Sequence, residues 1–147
     1  MPGCLPPAQP ASHAGRFHRS GDPWPLYASL DRATMWAERS RASDGHVPAE
    51  EDPRWVCTFE ADLAVLDLRD PAACRALRVT PAQLIGPWSP QEPNAAALRV
   101  AAMARRLGVD AMIVPSAARS GGWNLAVLPS SFKRLRLVRR RRETAPV

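Results

Sequence analysis

The clearest periodic pattern of apolar residues lies between residues 94 and 107. Small and apolar side chains recur there at spacings of three and four, the period of one buried helix face; they are Ala96, Val100, Met103, Ala104 and Leu107. Gly108 follows directly, and glycine takes the left-handed conformation at a helix end at little cost. The pattern therefore predicts a helix over residues 94–107 that packs on the core through this stripe.

Runs rich in β-branched and aromatic residues predict the strands. They cover residues 26–28, 55–59, 63–68, 109–115, 123–128 and 132–139. The runs at 55–59 and 63–68 are also compatible with one bulged strand. Gly121-Gly122 and residues 129–131 supply turns between the last three runs.

Start signals predict three further helices. Asp31 or Ser29 is suited to cap a helix over residues 30–41, and Asp70-Pro71 and Thr80-Pro81 each place a proline in a first helical turn. Loops at 42–54 and 86–93 interrupt the pattern. A few helices packed on a mainly antiparallel sheet define an α+β fold.

The composition is that of one globular domain with a basic surface. The chain has 147 residues, is 46% hydrophobic and carries a net charge of +6, much of it in residues 133–142. Such a charge permits contact with nucleic acid or an acidic protein without requiring either. We expect a proline-rich leader at residues 1–14, a folded domain at 15–138 and a basic tail at 139–147.

The cysteines and the hydropathy pattern indicate a compartment. Cys4, Cys57 and Cys74 form no metal-type pair and are expected to be reduced. The N-terminus lacks a signal-peptide pattern, and no apolar run reaches the ~18 residues of a membrane span. We therefore expect a cytoplasmic protein without membrane contact. The three histidines have no metal-ligand spacing, so no metal site is expected.

An arginine, the single tyrosine and a glutamate follow one another at equal intervals: Arg16, Tyr27 and Glu38. The planar fork of arginine matches phosphate oxygens, an aromatic ring offers a flat face, and a carboxylate stabilises positive charge. Ser116 follows the predicted strand at 109–115, in a polar turn. These residue types predict a site that holds a phosphate-bearing nucleotide and stabilises a cationic sugar.

The order of these motifs resembles the RES-domain family over residues 15–138. The resemblance rests on Gly15-Arg16-Phe17, the strand at 25–29, the helix that carries Glu38, and later segments at 66–68, 106–108, 110–117 and 124–127. The arginine, glutamate and serine that give the family its name match Arg16, Glu38 and Ser116. The resemblance implies an ADP-ribosyltransferase-like fold.

The resemblance also implies an activity and partners. Known members are toxins of bacterial toxin–antitoxin pairs that break the nicotinamide–ribose bond of NAD by hydrolysis or phosphorolysis. A helical antitoxin with a DNA-binding region blocks their NAD pocket, and a homodimer within that complex is a further expectation. NAD is then the substrate and phosphate a co-substrate, with no separate cofactor.

The family roles carry over to individual residues. Glu38 and Arg16 are expected to be catalytic, Arg16 also holding the diphosphate. Tyr27 is expected to face the nicotinamide, and Ser116 to bond a ribose hydroxyl or the carboxamide.

Two further residues are candidates for substrate binding. Trp123, after the Gly121-Gly122 turn, is placed near the nucleotide. The family carries another arginine upstream of the Gly-Arg-aromatic motif; this position would fall before Met1, and Arg19 is the candidate substitute.

Two other functions fit the same sequence. One is a non-catalytic relative that binds a nucleotide or an antitoxin. The other is a small nucleic-acid-binding protein that uses the C-terminal arginines, which is less favoured because no aromatic platform accompanies them.

Overall fold

The computed structural model describes residues 14–42 and 53–146. In chain order the elements are β1 (Leu26–Ser29), α1 (Arg32–Ala42), β2 (Arg54–Ala61), β3 (Val65–Asp67), α2 (Pro71–Leu77), α3 (Pro81–Ile85), α4 (Ala95–Leu107), β4 (Ala111–Pro115), β5 (Trp123–Val127), a 3-10 helix (Pro129–Arg134) and β6 (Leu135–Glu143). The predicted leader, apart from Ala14, and most of the predicted loop at 42–54 lie outside the described residues.

Four strands form one sheet in the order β1-β5-β4-β3. Strands β3 and β4 pair in parallel, whereas β5 is antiparallel to both β1 and β4. In this register Asn124 of β5 lies opposite Ser29 of β1 on one side and Val114 of β4 on the other. The predicted α+β class with mostly antiparallel strands is therefore confirmed, and the ends of three strands meet around Asn124.

Strands β2 and β6 form a separate antiparallel pair. The register shifts between Thr58 and Phe59, which leaves Val138 as an extra residue of β6. The structure differs here from the predicted strand at 132–139, because a 3-10 helix occupies its first residues and β6 continues to Glu143. Much of the predicted basic tail is thus paired β-strand.

Short polar side chains start the helices as predicted. Asp70 accepts a hydrogen bond from the Ala72 amide, and Thr80 forms a capping box with Gln83. Asn94 accepts from the Ala97 amide, and Gly108 ends α4 at φ +67°. Each cap satisfies a backbone group that a helix end leaves unpaired.

The buried face of α4 differs by about one position from the predicted stripe. Its buried residues are Ala97, Val100, Ala101 and Ala104, whereas Leu107 is 58% exposed. These small side chains pack in one cluster with Leu68, Leu84, Met112 and Val114. Alanine on the inner face lets the helix backbone lie close to the sheet, and the larger Leu107 is left outside.

The cysteines differ in state. Cys74 is a free, buried thiol whose Sγ–H donates to the Leu68 carbonyl at 3.3 Å. Cys57 is disulfide-bonded, so the prediction of reduced cysteines is wrong there. Among the described helices, none combines the length and the apolar character needed to cross a membrane.

Candidate functional site

The carboxylate of Glu38, on α1, is held at one oxygen by two side chains from the far end of the chain. Ser116 Oγ donates to Glu38 Oε1 at 2.7 Å, and Asn124 Nδ2 donates to the same oxygen at 2.6 Å. Within the described residues both bonds use Oε1, so Oε2 accepts neither of them. Two charge-assisted hydrogen bonds on one oxygen fix the plane of the carboxylate.

The Ser116 hydroxyl is itself oriented by the turn after β4. Its oxygen accepts hydrogen bonds from the amides of Ala118 and Arg119, both at 3.1 Å. The single hydroxyl proton therefore goes to Glu38. Ser116 is 4% exposed, and its hydroxyl is used by Glu38; its predicted bond to a ribose hydroxyl or the carboxamide stays a prediction.

Asn124 is a site residue that the sequence analysis missed. Its Oδ1 accepts a hydrogen bond from Ser29 Oγ at 2.8 Å, which leaves Nδ2 directed to Glu38. The one sequence feature that could have indicated it is the amide side chain within the otherwise apolar strand Trp123–Val127. Its function depends on the pairing of β1 with β5, which the residue pattern alone does not give.

Tyr27 combines an exposed ring with an inward hydroxyl. The residue is 41% exposed, while its hydroxyl lies 2.9 Å from Nδ1 of the buried His18 in a hydrogen bond. Burial of the hydroxyl raises the Tyr27 pKa well above its usual value, so the phenol stays neutral at physiological pH. A neutral ring held at its hydroxyl presents a rigid face to a ligand.

The segment that carries Arg16 is a tight reversal between Gly15 and His18, whose backbone groups exchange hydrogen bonds. A Cβ on Gly15 would lie 2.2 Å from His18 Cε1, so this close approach requires glycine. Phe17 is buried in the core cluster that also contains Leu84. The reversal therefore directs Phe17 to the core and His18 to the Tyr27 hydroxyl.

Arg16 uses one guanidinium nitrogen on backbone carbonyls. Its Nη1 donates to the carbonyls of Leu84 at 3.0 Å and Gly86 at 2.5 Å, at the C-terminal end of α3. Burial lowers the pKa of Arg16, and the nearby Arg41 adds to this, while Glu38 opposes it. The guanidinium therefore satisfies helix-end carbonyls and lies within electrostatic reach of Glu38.

Two adjoining spaces surround these residues. A cavity of about 230 Å³ is lined by Tyr27, Ala28, Ser29, Met35, Glu38 and Asn124. A larger groove of about 640 Å³ runs between β1 and the β2–β6 pair and shares Tyr27, Ala28, Ser29 and Met35 with the cavity. Tyr27 and Glu38 thus line one cavity that continues into a groove.

Arg19 and Trp123 are not brought to either space. Arg19 is exposed, and its backbone amide donates to Asp22 Oδ2 at 2.7 Å. Trp123 begins β5 opposite Pro115, and its carbonyl accepts from the Leu30 amide. Neither lines the cavity or the groove. No cluster of three or more potential metal ligands occurs within residues 14–42 and 53–146.

The arrangement can stabilise a positively charged group beside a flat aromatic ring. Residues 4–146 match the RES domain model, so the chain belongs to the RES domain family. It is also 35% identical over 122 residues to a probable NAD(+) phosphorylase of Mycobacterium tuberculosis (strain ATCC 25618 / H37Rv). That match covers 82% of this chain and 56% of the relative, so the chain spans a little over half of the relative's length.

Proposed function

We propose that this protein cleaves the nicotinamide–ribose bond of NAD. The observation that carries the proposal is Glu38, fixed through Oε1 by Ser116 and Asn124, in one cavity with the ring of Tyr27. Membership of the RES domain family and the similarity to a probable NAD(+) phosphorylase support it.

Cleavage of the nicotinamide–ribose bond requires a carboxylate beside the ribose. As the bond between C1′ and the pyridinium nitrogen breaks, both electrons leave with nicotinamide, which becomes neutral, and the ribose becomes an oxocarbenium-like cation. An acceptor oxygen then bonds to C1′ and gives up a proton. Glu38 stabilises the cation and takes or directs that proton, with Oε2 as the oxygen facing the reaction. Ser116 and Asn124 are positioning residues in this scheme.

The other residues of the site orient the substrate. The face of Tyr27 packs against the nicotinamide, since its hydroxyl is already bonded to His18. Arg16, in contrast, tethers the end of α3 through its bonds to the carbonyls of Leu84 and Gly86. Its family role in holding the diphosphate finds no support in these contacts.

The acceptor distinguishes phosphorolysis from hydrolysis. The name of the mycobacterial relative favours inorganic phosphate, which would give ADP-ribose 1″-phosphate and nicotinamide. Water as acceptor would give ADP-ribose. We propose phosphate as the co-substrate.

We also propose the biological setting that the family resemblance implies. We place the enzyme in the cytoplasm as a toxin neutralised by a helical DNA-binding antitoxin, with a homodimer in the complex. Direct nucleic-acid binding is disfavoured, because β6 pairs the C-terminal arginines with β2 instead of leaving them as a tail.

Nicotinamide release tests the proposal. Purified protein is incubated with NAD, with and without inorganic phosphate, and the ribosyl product is identified by mass. Glu38→Gln keeps the shape of the side chain and is expected to slow release by about 10²–10⁴-fold. Glu60→Gln is the matched control, since Glu60 is exposed on β2 and paired with Arg136.

Three results would count against parts of the proposal. Equal rates for wild type and Glu38→Gln would remove Glu38 from the reaction. A product without phosphate in the presence of phosphate would replace phosphorolysis by hydrolysis. NAD binding without nicotinamide release would favour the non-catalytic relative.

A further inference from the structure

The wall of the larger groove formed by β6 is positively charged. Arg139 and Arg141 alternate along the strand and line the groove, and Arg32 of α1 lines it from the other side. Asp31 and Glu143 are the acidic residues among the groove's lining side chains. Asp31 is already bonded to Thr34 and lies 3.7 Å from Arg119. Three guanidinium groups therefore line the groove against two carboxylates.

A buried carboxylate orders two of these arginines. Glu143, only 8% exposed, lies between Arg32, whose Nη2 is 2.5 Å from Oε2, and Arg141, whose Nε donates to Oε1. A buried carboxylate is costly unless it is paired, so Glu143 anchors both guanidinium groups at the groove wall. The pre-organised pair loses little side-chain freedom when an anion binds.

Arg139 supplies a guanidinium that is free to meet an anion. It is exposed and lies opposite Thr58, and it makes no ion pair with any residue in 14–42 or 53–146. The intervening Arg140 is used differently, with its guanidinium 4.2 Å above the ring of Trp55. Successive side chains of β6 point to opposite faces of the strand, so Arg139 and Arg141 line the groove whereas Arg140 stacks on Trp55.

We propose that this groove is the diphosphate subsite of a dinucleotide, with Arg139 and Arg141 as its binding residues. The inference rests on the proposed function for the position of the ribose, because the groove and the Glu38 cavity share Tyr27 and Ser29 along their border. The diphosphate follows the nicotinamide ribose directly along NAD. The planar guanidinium group binds phosphate oxygens in a bidentate manner, and the wall offers two such groups, whereas Arg16 lines neither the groove nor the cavity.

Equilibrium binding tests the subsite without requiring turnover. ADP-ribose and inorganic phosphate are titrated by calorimetry into wild type, Arg139→Gln, and Arg139→Gln combined with Arg141→Gln. The loss of one charge-assisted contact predicts an ADP-ribose Kd about tenfold to hundredfold weaker for Arg139→Gln, and a further loss in the double variant. Arg142→Gln is the matched control, since it removes the same charge from an exposed neighbour whose side chain, among the described residues, donates to the Pro53 carbonyl and does not line the groove.

The outcomes separate this inference from the proposed function. Unchanged ADP-ribose affinity in Arg139→Gln, or an equal loss in Arg142→Gln, overturns the subsite whether or not the enzyme cleaves NAD. A loss of phosphate affinity with ADP-ribose affinity unchanged assigns the arginines to free phosphate and also overturns it. Weakened ADP-ribose binding supports the subsite even if wild type releases no nicotinamide, a result that would remove only the proposed function. Thermal melting of each variant checks that the fold is intact.

Discussion

Asn124 offers the sharpest test of how the site works, because it holds the same carboxylate oxygen as Ser116. Replacing it with leucine keeps the branched shape and removes the 2.6 Å donor to Glu38 Oε1. A hydrogen bond to a charged group contributes about 1.5–3 kcal/mol. If that energy positions Glu38 for the transition state, kcat/KM for nicotinamide release falls by about tenfold to hundredfold.

Asn124→Asp tests the positioning role of Asn124 through charge. A carboxylate at this position would face Glu38 at close range, and two unit charges ~4 Å apart repel by about 4 kcal/mol at an effective dielectric constant of 20. We therefore expect kcat/KM to fall further in Asn124→Asp than in Asn124→Leu, an order that loss of the donor alone would not produce.

The assay is nicotinamide release across pH 5–9 for wild type, both Asn124 variants, Ser116→Ala and the Asn124→Leu/Ser116→Ala double variant. Because both donors meet at one oxygen, their effects should not add. Wild-type kcat/KM at every pH in both Asn124 variants would refute the positioning role. Additive losses in the double variant would refute the shared oxygen as the cause.

Two predictions concern stability. Gly15→Ala forces a Cβ to within 2.2 Å of the His18 ring, so we expect a loss of about 1–3 kcal/mol in the free energy of unfolding by urea; an unchanged midpoint would contradict the tight reversal. Hydrogen bonds from Ser131 and Ala64, with Arg134 nearby, lower the pKa of the Asp110 carboxyl in the folded protein. The charged carboxylate therefore stabilises the fold at pH values above the pKa of the unfolded chain, ~3.9. This stabilisation is lost as the pH falls through the pKa of the folded protein. Asp110→Asn should therefore be less stable than wild type at pH 7, and the gap should close towards pH 2; a constant gap would exclude the charge as its cause.

The local elements could be predicted from the sequence because their signals are local. The helix starts at Asp70, Thr80 and Asn94 depend on side chains within three residues of the amides they cap. The position of the last described strand could not be predicted, because β6 is fixed by its pairing with β2, about eighty positions earlier in the chain. The arginines at its end look like a solvated tail until that partner is known.

The candidate site also contains residues that could be predicted from the sequence and residues that could not. Glu38, Tyr27 and Ser116 could be predicted through the order of motifs, and the structure brings Glu38 to the other two. Asn124 could not, since its amide reaches Glu38 only when β1, β5 and β4 lie side by side. Arg16 has the residue type of a phosphate ligand, but the carbonyls of Leu84 and Gly86, distant in sequence, use its Nη1.

The hydrogen bonds of Glu38 also set when a newly made chain acquires activity. Ser116 and Asn124 lie 78 and 86 positions after Glu38, so a nascent chain that has not yet released β5 from the ribosome lacks both donors. Synthesis proceeds at roughly 5–20 residues per second, so several seconds separate the appearance of the carboxylate from its final orientation. Under the function proposed here, a cell that makes this protein meets no active enzyme before β5 has been synthesised.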